Sequence, residues 1–151
     1  MNKVIFFILL TSACLFSATS IADIFGVKIG ETLAIAQQKY PSLEESENKE
    51  FYFCAVDITD HEVPYRRVAV FLDKNKQYKI GAMYMYAKNA DLTTTVKIYN
   101  LFREELGEPE EVTLTSAYWK RGETWIGVIF GDKWLAAIAF DPDFFKYTYG
   151  K

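Results

Sequence analysis

The chain has 151 residues, 50% of them hydrophobic, with 17 basic and 20 acidic side chains and a net charge of −3. That is enough apolar material for one substantial core, and mild acidity with scattered basic residues leaves no electrostatic footprint for nucleic acid. With 2 Cys and 1 His, a structural zinc site lacks its usual set of Cys and His ligands, and any histidine-based triad would have to use His61, with no G-x-S-x-G elbow around a serine.

The N-terminus, "MNKVIFFILLTSACLFSATSIAD", places Lys3 before an apolar run from Val4 to Phe16, with small residues leading to Ser20 and Ala22. This is the three-part layout of a secretory signal peptide cut before Asp23. The run is too short for a membrane span of about 20 residues, and no later stretch reaches that length. Residues 1–22 thus read as the signal and residues 23–151 as a single α+β domain, periplasmic or secreted. A lipoprotein box ending at Cys14 competes with this reading, but Thr11 stands where Leu is usual and apolar sequence follows Cys14. Cleavage removes Lys3 and Cys14, so the net charge becomes −4 and Cys54 has no partner for an intramolecular disulfide.

After the signal, "IFGVKI" from Ile24 to Ile29 predicts a short strand. "GETLAIAQQKYP" predicts a helix of about two turns with Thr32 as N-cap and Pro41 as its end. "SLEESENKE" is acidic and aperiodic, hence a loop. Three runs rich in β-branched and aromatic residues follow, beginning at Phe51, Arg67 and Tyr78. They predict an antiparallel meander.

"ADLTTTVKIYNLFREELG" places Leu92, Val96, Tyr99, Phe102 and Leu106 at helical spacing, with Asp91 as cap and Gly107 as stop. Strands near "SAYWK", "TWIGVIF" and "WLAAIAF" then form a second meander. The two halves share one grammar, spaced roughly sixty residues apart. The expected architecture is one antiparallel sheet of about six to seven strands with two helices on one face.

Several polar groupings invite a chemical reading. The glutamates of "FREELGEPEEV" diverge, because Glu104 and Glu105 are about 100° apart on a helix while Glu108, Glu110 and Glu111 lie beyond its stop. His61, between Asp60 and Glu62, reads as a loop histidine. "DKNKQYKIGAMY" has Asp73 and Asn75 like a calcium loop, but Tyr78 and Tyr84 occupy the positions that need Gly and Glu. Cys54 reads as a small buried hydrophobe. No catalytic, cofactor or metal residue is therefore assigned.

The aromatic set is different: all ten Tyr, all three Trp and nine of the Phe remain after cleavage. Tyr78, Tyr84 and Tyr86 alternate with Met83 and Met85, and Trp119, Trp125 and Trp134 fall on the C-terminal strands. The better-filled sets, Ile126 with Val128 and Phe130 and Trp134 with Ile138 and Phe140, are expected to face the helices. Trp125 is expected on the helix-free face beside Gly127 and Ala137.

The layout "IFGVKIGETLAIAQQKYP", then "LGEPEEV" followed by "YWKRGETWIGVIF", resembles small exported proteins of Gram-negative bacteria. It is loosely similar to the small lipoprotein of the outer-membrane β-barrel assembly machinery and to the β-lactamase inhibitor protein. The resemblance implies protein binding in the periplasm. The expectation is a non-enzymatic binding module of inhibitor, immunity or envelope-accessory type, with Trp125, Tyr84, Tyr86 and Trp119 as partner-binding residues and no cofactor. A protein partner in the cell envelope is expected, and self-association is left open. The competing expectation is a small-ligand or lipid carrier, or an enzyme of unfamiliar type, with a cleft between sheet and helices.

Overall fold

The computed structural model describes residues 25–60 and 62–149, so residues 1–22, expected to be a signal peptide, and His61 lie outside the described residues. Among the described residues the order is α1 (Leu33–Lys39), β1 (Glu44–Glu45), β2 (Tyr52–Asp60), β3 (Val63–Asp73), β4 (Lys79–Lys88), α2 (Leu92–Leu106), β5 (Glu111–Val112), β6 (Ser116–Arg121), β7 (Thr124–Gly131), β8 (Trp134–Phe140) and α3 (Pro142–Tyr149). All eight strands form one antiparallel sheet ordered β1-β2-β3-β4-β8-β7-β6-β5. Each half is a helix, a two-residue edge strand and a three-stranded meander. The last strands of the halves, β4 and β8, pair at the centre. No described helix is long and apolar enough to cross a membrane.

The α+β class and the two meanders agree with the sequence, while the strand count rises to eight and the helix count to three. The two extra strands are β1 and β5, too short to show an alternation; β1 falls inside the stretch expected to be a loop. The extra helix, α3, carries a start signal that was readable. Pro142 is at its first position, where the missing N–H is no loss, and Asp141 Oδ1 accepts from the Asp143 amide at 2.9 Å.

The expected first strand does not form. Residues 25–30 are bends and turns, with Gly26 at φ +60° and Gly30 at φ +89°. Those two turns still deliver Phe25 and Val27 into the core, and the Tyr40 hydroxyl donates to the Phe25 carbonyl at 2.7 Å. The segment then joins the start of β4 through Gly30 N–H to Ile80 O and Ile80 N–H to Glu31 O, both 2.8 Å.

Strand alternation builds the helix-side core in rows across the sheet. One row is Tyr52, Val70, Met83, Ala139, Ile126 and Trp119; the next is Cys54, Val68, Met85, Ala137, Val128 and Ala117. Ala36 and Tyr40 from α1 and Ile98 and Phe102 from α2 join the same buried cluster, so both helices cover one face. Fully burying each large side chain contributes about 1.5–3 kcal/mol. Long Met side chains on β4 stand beside alanines on β8, and that size alternation lets the central strands interdigitate.

Two expectations about facing are corrected. In β8 it is Leu135, Ala137 and Ala139 that face the helices, while Trp134, Ile138 and Phe140 face away. Choosing the bulkier set failed because the seam strand is filled from its neighbours: Met83 and Met85 on one side and Ile126 and Val128 on the other occupy the space. Ala137 therefore does not lie beside Trp125. In α2, Phe102 and Ile98 set the buried axis; at about 100° per residue Leu92 falls about 80° and Val96 about 120° from Phe102. Both are exposed, Leu92 at 79% and Val96 at 49%.

Candidate partner-binding face

The sheet face opposite α1 and α2 is assembled from the alternate residues of β2, β3, β4, β8, β7 and β6. Pairing registers give its rows. The first runs Glu44, Phe53, Ala69, Tyr84, Ile138, Gly127, Tyr118 and Glu111. The second contains Phe71, Ala82, Phe140, Trp125 and Lys120, and the third contains Ala55, Arg67, Tyr86, Ala136, Ile129 and Ser116. Glutamates thus close both ends of the longest row, and aromatic rings fill its middle.

Those rings form two groups. On the first half, Phe53, Phe51, Phe71 and Tyr84 touch in sequence, with Phe51 stacked on Phe71 at 5.1 Å between centroids and Phe71 tilted against Tyr84 at 5.3 Å. On the second half, Trp125 stacks on Phe140 at 6.4 Å, and Tyr118 meets Phe140 edge-on at 5.9 Å. Tyr86 stacks on Trp134 at 6.0 Å across the seam. Offset and edge-on contacts of this kind hold large rings in fixed orientations. Ile138 is fully covered between the two groups, at 1% exposure, while the rings around it stay half-buried.

Two glycines make room for this layer. A Cβ on Gly127 would strike the Tyr118 ring, and one on Gly131 would strike Trp134. Gly127 therefore is the seat of Tyr118, and Gly131 the seat of Trp134. The signal was visible in the sequence as glycine inside a strand, which marks close approach of another group.

Two shallow depressions open on this face. One, of about 350 Å³, is lined by Phe51, Arg67, Ala69, Tyr84, Tyr86 and Lys88 among others. The other, of about 260 Å³, is lined by Glu111, Tyr118, Trp125, Ile129, Ile138 and Phe140 with Pro142. The first lies mainly on β3 and β4 and reaches Ala136 of β8, and the second lies on β5 to β8.

Of the four residues singled out in the sequence, Trp125, Tyr84 and Tyr86 lie together on this face, half-buried. Trp119 does not. It is 1% exposed on the helix side, packed against Tyr99 and Phe102, and its Nε1–H donates to the Gly107 carbonyl at 2.8 Å. Strand parity separates it from Tyr118, which takes the outward position instead. Tyr78 also leaves the set, in a turn at φ +57° before β4 begins. Phe51, Phe71, Tyr118, Trp134 and Phe140 join the face without having been singled out as partner-binding, because which parity faces away is a property of the packed sheet.

Of the remaining groups of chemical interest, Glu105, Glu108, Glu111, Asp73 and Cys54, only Glu111 lies on this face. Arg103 pairs with Glu108 at 3.4 Å, and the Arg121 guanidinium donates to the Glu105 carbonyl at the end of α2. Glu111 borders the second depression. Asp73 accepts from the Asn75 amide at 2.8 Å and starts a short 3-10 turn, Lys74–Lys76, that closes the hairpin. Cys54 is buried on the helix side, and burial pushes its thiol pKa up. Burial, and the nearby Cys54, also push the Tyr40 hydroxyl up to about 12.

No family model and no curated protein matches the chain. Among solved structures, a GTP binding regulator from Thermotoga maritima superposes with a TM-score of 0.43 at 15% identity, over 72% of this chain and 76% of that one. At that level the likeness carries no argument about fold or function.

Proposed function

We propose that this chain is a non-enzymatic protein-binding module of the bacterial periplasm, of inhibitor, immunity or envelope-accessory type, exported by residues 1–22. The observation that supports the reading is the sheet face opposite α1 and α2. Six strands carry a layer of ordered aromatic rings there, half-buried and not covered by α1 or α2. Rings of Tyr and Trp offer a large contact area at low entropy cost, and such residues are enriched in the hot spots of protein interfaces. The depressions on it are shallow and open, a form suited to projecting side chains of a partner. The layout "LGEPEEV" followed by "YWKRGETWIGVIF", similar to exported binding proteins, points the same way.

The test is affinity capture from envelope extract with the exported protein as bait, run beside Trp125→Ala and Tyr84→Ala. A partner retained by the wild-type protein and lost from both variants is the expected result. Retention unchanged in both variants would move binding to another surface.

A further inference from the structure

The two depressions of the aromatic face differ in charge. Arg67 and Lys88 both line the first and both are exposed. Among the described residues neither has an ion-pair partner, and the Arg67 guanidinium rests 6.0 Å over the Phe53 ring. The second depression is balanced, with Glu111 on its wall and Lys120 at the end of the Trp125 row. The chain as a whole is acidic, at −3, so two unpaired cations on one aromatic patch run against its average.

A partner that covers this patch removes water from both cations. Without an opposite charge that desolvation is unfavourable, and a basic group placed there is repelled. The partner surface over Arg67 and Lys88 must therefore supply a carboxylate. The second depression makes no such demand. It asks for an apolar side chain against Trp125, Ile129 and Phe140.

The spacing is set by the sheet. The depressions lie two to three strand spacings apart across the β4–β8 seam, roughly 10–14 Å. An extended chain advances about 3.3 Å per residue, so about three or four residues span that gap. We propose that the face docks one extended acidic segment of a partner protein. An apolar residue beside Asp or Glu enters the depression at Arg67 and Lys88, and a second large apolar residue, about three or four positions away, enters the depression at Trp125. The proposal rests on the protein-binding reading and adds the chemistry and polarity of the partner.

Selection of phage-displayed random 12-residue peptides on the exported protein tests it. The expected survivors carry Asp or Glu next to an aromatic residue or Leu, with a second large apolar residue about three or four positions on. Their affinity should fall about tenfold or more in the Arg67→Glu, Lys88→Glu double variant, and about tenfold in Trp125→Ala. Rising salt should weaken binding to the wild-type protein and not to the double variant. Both cations are exposed, and unchanged thermal unfolding of the double variant confirms an intact fold. Survivors without acidic residues, binding the double variant equally well, overturn the acidic segment and leave the protein-binding module standing. No survivors above background, with Trp125-dependent capture from extract intact, also overturn it. Saturable, Arg67-dependent binding of dodecanoate with no peptide survivors would replace the segment by a carried amphiphile. Failure of both selection and capture removes the binding module together with its partner.

Discussion

Trp119 and Trp125 occupy neighbouring strands and point to opposite faces, so one sequence signal separates into two physical roles. Trp119 is enclosed by Tyr99 and Phe102 and ties the end of α2 to the sheet through its indole N–H. Trp119→Ala should lower stability by about 3–5 kcal/mol, since it opens a cavity and leaves the Gly107 carbonyl unpaired. Trp125→Ala should cost less stability, because its ring is already partly exposed to water, while weakening partner binding by about 2 kcal/mol or more. Urea unfolding of both variants beside a binding titration separates the roles. At Gly127, substitution by Ala pushes a methyl group into the Tyr118 ring. It should destabilise by about 1–3 kcal/mol and displace Tyr118 from the face, visible as a change in near-UV circular dichroism.

At the scale of elements, α2 shows how a cap and a stripe divide the work. The Asp91 carboxylate accepts from the Thr94 amide at 2.7 Å, and that hydrogen bond holds its pKa below the ordinary carboxylate value. A depressed folded-state pKa means that the cap stabilises above the unfolded value and stops doing so as pH falls through the lowered one. Asp91→Ala should therefore lower the thermal midpoint at neutral pH. The difference from wild type should close as pH drops below the ordinary Asp range, which a pH series of melting curves measures. Leu92 and Val96 lie off the buried stripe, so Leu92→Ser and Val96→Ser should change stability by no more than about 0.5 kcal/mol, whereas Phe102→Ala costs about 3–5 kcal/mol.

In the whole molecule, the β4–β8 seam joins two halves that each end at a two-residue edge strand. Its backbone hydrogen bonds lie between Met83, Met85, Ala137 and Ala139 under the helices and Ile138 beneath the aromatic layer, all buried. Native-state hydrogen exchange should find the slowest amides in β4 and β8 and the fastest at β1 and β5. Equal protection across all eight strands would mean that the seam has no special place in the fold. The short edges also limit pairing with other chains, since they offer few free backbone groups.

Much of this architecture is local in origin and was legible residue by residue. Asp91 and Gly107 bound α2, Pro41 follows α1, and period-2 runs mark β2, β3, β4, β6, β7 and β8, because capping, φ restriction and side-chain alternation act within a few residues. Alternation also put Tyr84 opposite Met83 and Trp125 opposite Ile126. The sequence by itself determined these periods and the supply of aromatic rings. Tertiary structure alone decided which parity faces the helices in β6 and β8, and hence that Trp119 is core while Trp134 and Phe140 join Trp125. That choice depends on what neighbouring strands contribute: Met83 and Met85 leave room for Ala137 and Ala139 and not for Trp134 or Phe140. The juxtaposition of Arg67 and Lys88 in one depression was equally hidden, since it arises from strand register across β3 and β4 and no local pattern encodes it.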